Sequence, residues 1–180
     1  SEALRSNEFQ SSLLLRFKFK STIVDVEVYL NKSSHLLNFK IDWVNKSKNH
    51  LFQIKFNLKE AITKTFSEDM GTLIENLPKE KGLEAKTHPA PMSKYVSTQG
   101  FEVITKGLCE YEVGKKSLSI TLLRAIGIIS NPKNPSRSTP AGPPVEVEEA
   151  QLLGKNSAKF AIGFGDIQDW QKSVDEIFPY

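Results

Sequence analysis

Chemistry needs side chains that can move protons, attack carbon or hold a metal, and in these 180 residues the supply is thin. The three histidines, His35, His50 and His88, stand far apart, with no HxH, HExxH or Cys-His spacing to converge on a metal. Each reads as a surface or turn histidine. The single thiol, Cys109, sits in an alternating strand pattern without a His partner, so it reads as a small buried apolar residue rather than a nucleophile. Carboxylates are plentiful, and Glu68-Asp69 and Glu148-Glu149 are adjacent pairs. A glycosidase-like pair needs burial or a charged neighbour to tune its pKa values, whereas these lie in polar surroundings and read as solvated charges. No catalytic residue and no metal ligand is assigned.

Arg124 is the exception. It closes Ile120-Thr121-Leu122-Leu123-Arg124, where a strand hands over to a proline-rich segment. It is either an arginine snorkelling at a strand end or a guanidinium aimed into a cleft, its fork able to hold hydroxyls or a carboxylate. The segment that follows, Ile129 to Gln151, carries Asn131 and Arg137, and five of the nine prolines fall between Pro132 and Pro144. A linker would be rich in Gly, Ser or charge and would separate two complete patterns. Strand-like sequence of one character flanks this segment, and its prolines stiffen the path, so residues 129–151 read as an ordered loop within one domain, 1–180. Long ordered loops of this kind usually carry function. Arg124, Asn131 and Arg137 are therefore the candidates for contact with a substrate cleft.

These residues must be positioned by strands. Val24 to Leu30 alternates apolar and polar residues, as do Leu37 to Trp43 and Phe52 to Leu58, which predicts three antiparallel strands joined by short connections. Phe17-Lys18-Phe19-Lys20 reads as another alternating strand. Residues 68–87 carry a weaker signal, with a turn at Pro78 to Gly82 and a break at Pro89 to Pro91. Strand patterns resume at 94–97, 101–105, 108–113, 118–123 and 158–164. Ile167, Trp170, Val174 and Ile177 recur at helical spacing behind Asp166, a possible cap. Trp43 continues the inward series Leu37, Phe39, Ile41. Tyr29 stands on the polar side of its run, the better place for a sugar-stacking platform. The predicted architecture is mainly β, an antiparallel β-sandwich with one or two short helices.

Composition bounds the partners. A net charge of +3 on interspersed signs leaves no basic block for nucleic acid. No apolar run is long enough for a membrane helix, and the first ten residues lack the basic start of a signal peptide. One cysteine excludes a disulfide scaffold and favours a reducing compartment, so a cytoplasmic location is expected. A start without Met suggests a piece of something longer.

The order of several runs adds a further reading. Ile41-Asp42-Trp43-Val44-Asn45 precedes Leu51-Phe52-Gln53-Ile54-Lys55-Phe56, and Lys94-Tyr95-Val96 follows. Then come Gly107-Leu108-Cys109-Glu110-Tyr111-Glu112-Val113, Leu118 to Arg124 and the proline segment. This succession, across Leu13 to Trp170, resembles the C-terminal β-sandwich region of glycoside hydrolase family 38, the retaining α-mannosidases. The bacterial branch that includes mannosylglycerate hydrolases is the nearest in pattern. Ser97 departs from it, standing where the family stretch carries Asp, as does Phe164-Gly165-Asp166, where many members have a histidine-bearing motif.

The resemblance implies a galactose mutarotase-like supersandwich that packs on a catalytic domain absent from these residues. It implies no cofactor in this part, with zinc, nucleophile and general acid in the catalytic domain, and an α-mannoside as substrate of the whole enzyme. It also implies that Arg124 corresponds to an arginine approaching the active site, and that residues 131–144, with Arg137, lie against the catalytic domain. The alternative is a free-standing carbohydrate-binding or interaction module. An independent hydrolase using local carboxylates has no motif behind it.

Overall fold

Period-two alternation gives most of this chain one apolar and one polar face, and strands follow from it. The computed structural model describes residues 2–19, 22–77, 89–131, 139, 141–165 and 169–178. Its strands are β1 (Glu2–Ser6), β2 (Gln10–Phe19), β3 (Thr22–Asn31), β4 (Leu37–Asn45), β5 (Leu51–Asn57), β6 (Thr65–Asp69), β7 (Thr72–Asn76) and β8 (Pro89–Pro91). They continue with β9 (Tyr95–Thr98), β10 (Phe101–Thr105), β11 (Glu110–Gly114), β12 (Ser117–Arg124), β13 (Ile128–Ile129), β14 (Val145–Glu146) and β15 (Gly154–Phe164). One helix, α1 (Trp170–Ile177), follows.

The strands form a large sheet, β1-β2-β3-β4-β15-β10-β9-β6-β7, and a small one, β5-β12-β11-β8, with β13 and β14 as a separate ribbon. Their inner faces share a core in which Ile41, Trp43, Phe101, Val103 and Phe160 meet Tyr111, Leu118, Ile120 and Leu123. Ring contacts fix which strand lies over which. Trp43 of β4 meets Phe52 of β5 edge-on at 5.3 Å, and Phe56 of β5 lies 5.2 Å from Phe101 and 6.1 Å from Phe160. At the other end, the hydroxyls of Tyr111 and Thr65 are 3.2 Å apart, so β11 sits over β6. The mainly β antiparallel sandwich is as alternation predicted.

Three elements differ from expectation. The runs at 24–30 and 37–43 pair as β3 and β4, but the third run, β5, crosses to the small sheet and pairs with β12. Alternation gives a strand an inner face and is silent on which of two facing sheets it joins. The weak stretch after 65 contains the hairpin β6–β7, turned by Met70 and Gly71 at φ 49° and 85°. Pro89–Pro91 is a strand rather than a break. It sits at the edge of the small sheet, where a missing N–H costs nothing. The turn expected at 78–82 and His88 lie outside the described residues.

Helix α1 covers the outer face of the large sheet. Trp170, Val174, Ile177 and Phe178 pack on Leu36, Tyr95, Ile104 and Ala161, so helical spacing marked the right stripe. The helix begins at Trp170 behind Asp169, whose side chain makes no cap bond. Asp166, the expected cap, lies outside the described residues.

Candidate functional site

Where Arg124 points is decided by a β-bulge. β12 pairs Ile120 with Ile54 and Thr121 with Gln53, then skips Leu122 and resumes with Leu123 opposite Phe52 and Arg124 opposite Leu51. Strict alternation would place Arg124 on the inner face with Ile120. The extra residue instead turns Leu123 into the core and Arg124 outward, beside Thr121. There its Nη2 and Nε donate to Glu110 Oε1 and Oε2 at 2.7 and 3.1 Å, a two-pronged pair. Thr121 Oγ1 donates to Glu110 Oε1 at 2.6 Å, and Gln53 Nε2 reaches Thr121 Oγ1 at 3.3 Å and Glu112 Oε2 at 3.2 Å. The guanidinium is thus held by its own sheet while staying 44 % exposed.

Arg124 stands at the rim of a concavity of about 400 Å³, lined also by Asn49, His50, Leu51, Ile126 and Asn131. Its lining residue Asn49 belongs to a polar network between loops. Gln151, buried to 4 % exposure, accepts from Asn49 N at 2.7 Å and donates from Nε2 to Asn49 Oδ1 at 2.9 Å. Asn45 Nδ2 donates to the carbonyls of Gln151 and Leu152 at 2.9 and 3.1 Å. Gly127 sits against this network with no room for a side chain, since a Cβ there would lie 2.4 Å from Gln151 Nε2.

The base of the proline segment closes over the same end. Ile128 and Ile129 pair with Glu146 and Val145, and Ser130 Oγ both accepts from Gly142 N at 2.7 Å and donates to Gly142 O at 2.8 Å. The structure therefore brings Arg124 and Asn131 to one hollow. Arg137, the third sequence candidate, lies outside the described residues. Among the described residues the lining offers one guanidinium, one imidazole, two side-chain amides and no carboxylate, a set that suits hydroxyls or an anion.

A second polar cluster escaped the sequence reading. Glu102 of β10 is 1 % exposed, on the outer face beneath α1. Tyr95 Oη donates to its Oε2 at 3.0 Å, Ser173 Oγ to its Oε1 at 2.9 Å, and His35 Nε2 lies 3.5 Å away. The opposite residue in the register is Gly163, where a Cβ would come within 2.7 Å of Glu102 Oε1. Alternation in Phe101-Glu102-Val103 puts this carboxylate on the face away from the core and does not show the helix above it. A glycine opposite it was the available signal, because it leaves the space that a buried carboxylate fills.

Further assignments change. Cys109 is exposed, not buried, because it falls in the turn before β11 rather than in the strand. Glu68 is buried and accepts from Gly71 N at 2.6 Å and Lys94 N at 2.9 Å, so it braces the β6–β7 turn. Tyr29 is half-buried between Ser12 and Asn38.

The described residues do not fit a metal. No group of three or more His, Cys, Asp or Glu side chains among them converges on a common point. At His35 the two ring nitrogens face different carboxylates, Nε2 towards Glu102 and Nδ1 towards Glu176 at 3.3 Å, so the donors diverge. Nor is any helix among them long and apolar enough to cross a membrane.

No family model matches the chain. Over 142 residues, 76 % of its length, it is 26 % identical to a putative mannosylglycerate hydrolase of Halalkalibacterium halodurans, of which it spans 15 %. An alpha-mannosidase structure from Enterococcus faecalis V583 superimposes with a TM-score of 0.80 over 99 % of this chain and 23 % of that one, at 15 % identity. In sequence and in fold, the chain resembles part of a glycoside hydrolase family 38 enzyme. A second structure from Enterococcus faecalis, described as a protein in glycosyl hydrolase family 38, gives a TM-score of 0.78 at 14 % identity, over 99 % of this chain and 24 % of that one. The chain thus spans less than a quarter of the family 38 relatives it matches.

Proposed function

We propose that this chain is a non-catalytic β-sandwich of a zinc-dependent retaining α-mannosidase. On this reading residues 1–180 form one domain of a longer cytoplasmic enzyme, and residues 129–151 are its ordered loop. The domain packs on the catalytic domain, which holds zinc and the catalytic carboxylates, and it lends the hollow at Arg124 and Asn131 to the rim of an α-mannoside cleft. The sequence similarity to a putative mannosylglycerate hydrolase over three-quarters of the chain carries the reading. The polar character of the hollow supports it: the Arg124 guanidinium, the Asn49 and Asn131 amides and the His50 imidazole can meet sugar hydroxyls, and the described lining holds no carboxylate of the kind that attacks an anomeric carbon.

The test uses the longer polypeptide and the isolated chain with a chromogenic α-mannoside. The longer polypeptide turns the substrate over, and Arg124→Ala raises its KM by about tenfold, near 1.4 kcal/mol of binding. In the isolated chain the same change costs under about 1 kcal/mol of stability, because the pair with Glu110 is solvent-exposed. Turnover by the isolated chain, or an unchanged KM, would sink the proposal. Measurable binding of mannosylglycerate to the isolated chain by calorimetry would favour a free-standing carbohydrate-binding module instead.

A further inference from the structure

The two sheets are unequal, and the mismatch leaves one apolar face uncovered. Ring contacts place β5 over β4, β15 and β10, and the Tyr111–Thr65 contact places β11 over β6. Among the described residues the small sheet ends at β5, which pairs with β12 on one side only. The large sheet continues beyond that line through β3, β2 and β1.

Register shows what this overhang presents. Leu13, Leu15 and Phe17 stand opposite Val28, Val26 and Val24, and those valines stand opposite Phe39, Ile41 and Trp43 of the core face. Leu4 of β1 stands opposite Leu13. The core face therefore runs on, apolar, through β3, whose Val24 is still buried in the core, and out over β2 and β1, where cover is lost among the described residues. Leu4 is 75 % exposed and Phe17 52 %. The reverse face of the same strands carries Arg16, Lys18, Asp25 and Glu27 with Leu14 and Ile23 among them, so it is mixed where the inner positions 13, 15, 17, 24, 26 and 28 are apolar throughout.

Two further observations fall at the same seam. A hollow of about 330 Å³ opens between the overhang and β5, lined by Thr22, Val24, Trp43, His50, Leu51 and Phe52 among others. Trp43 Nε1 and His50 Nδ1, both on residues lining it, are buried without a hydrogen-bond partner. Buried polar atoms are almost always paired, so two unpaired ones beside an open strand edge mark an incomplete part of a core.

We infer that the longer polypeptide supplies at least one additional β-strand, which pairs with the free edge of β5 and lays apolar side chains over the inner face of β1–β3. The occupant is an extended segment with period-two apolar residues, because only a strand both meets the backbone of an open edge and covers a flat apolar sheet. The relatives have the length to provide it, since this chain spans 15 % and 23 % of two of them. This inference rests on the proposed membership of a longer enzyme and deepens it, naming where that enzyme grips the sandwich.

The experiment compares the isolated chain with the longer polypeptide. Each carries Cys109→Ser and either Phe17→Cys or, as a control, Met70→Cys, a site 95 % exposed on the β6–β7 turn. Thiol labelling at position 17 is expected to slow by about 100-fold in the longer polypeptide, and at position 70 to stay the same. Amides of residues 51–57 that β12 leaves unbonded gain protection from hydrogen exchange over the same comparison. Equal labelling at position 17 in an active longer polypeptide overturns this inference and leaves the proposed function standing. A gene that encodes no longer polypeptide overturns both. Protection that arises in the isolated chain on dimerisation, with a doubled mass by light scattering, makes a second copy the occupant and also overturns it.

Discussion

At the scale of single residues, Glu102 is the most consequential side chain. A carboxylate this deeply buried is stabilising only while its donors reach it, and here Tyr95 and Ser173 supply two. Glu102→Ala removes the acceptor that Tyr95 and Ser173 share, leaving Ser173 Oγ with His35 Nε2 at 3.2 Å, and is expected to cost about 1–3 kcal/mol in urea unfolding. Gly163→Ala forces a methyl group against Glu102 Oε1 and Leu36, for about 1–3 kcal/mol. The double variant should lose less than the sum, because removing the carboxylate relieves one of the two contacts that the methyl meets; strict additivity would disprove the packing argument. On the outer face of β2–β4, the hydrogen bond from Arg16 holds the Asp25 carboxyl below its ordinary value of 3.8. Burial pushes Asp42 up, but hydrogen bonds from Ser157 and Lys40 outweigh it and leave that carboxyl lowered as well. Depressed carboxylates contribute stability above their unfolded value and lose it as pH falls through the folded one. Stability should therefore decline below about pH 3.8, and Asp25→Asn with Asp42→Asn should flatten that limb in a pH series of chemical unfolding. The effect is small, since the Arg16 and Asp25 side chains are 56 % and 31 % exposed.

At the scale of elements, α1 and the β12 bulge do the positioning. The helix spans eight residues, too few to persist alone, so its stability comes from the apolar stripe it lays on the sheet. Val174→Asp places a charge in that contact and is expected to undock the helix, at a cost of about 3 kcal/mol or more. Trp170 reports the event, because it packs 5.8 Å from Tyr95 and its fluorescence should shift to the red when the helix lifts. An unshifted spectrum would mean that the contact tolerates the charge. The bulge reverses Leu123 and Arg124 together: without it Leu123 would face outward and the guanidinium of Arg124 would face the core, where an unpaired charge is not tolerated.

At the scale of the molecule, the large sheet is covered on its inner face by the small sheet and on part of its outer face by α1, while β1–β3 extend past both. The concavity at Arg124 and the open edge of β5 meet at one end of the sandwich, since His50 and Leu51 line the hollows of both. A longer enzyme that docks strands along β5 would therefore bring its own surface beside the Arg124 rim. Slow labelling at position 17 and a KM effect of Arg124→Ala are linked expectations at this scale, and finding the first without the second would separate anchoring from substrate contact.

Alternation alone determined most of the strands, which side of each is apolar, and that the whole is a sandwich; β6, β7 and β8 escaped it. Trp43 on the inward series and Trp170 on the helical stripe were legible because period two and period 3.6 are local properties of the chain. The family likeness too was legible, in the order of short runs. Three-dimensional packing decided the rest. Which sheet β5 joined, whether the outward Glu102 met solvent or a helix, and which way Arg124 turned depend on partners distant in sequence. A residue's type sets its preference for burial; what lies above its face is set by elements that a local pattern does not contain.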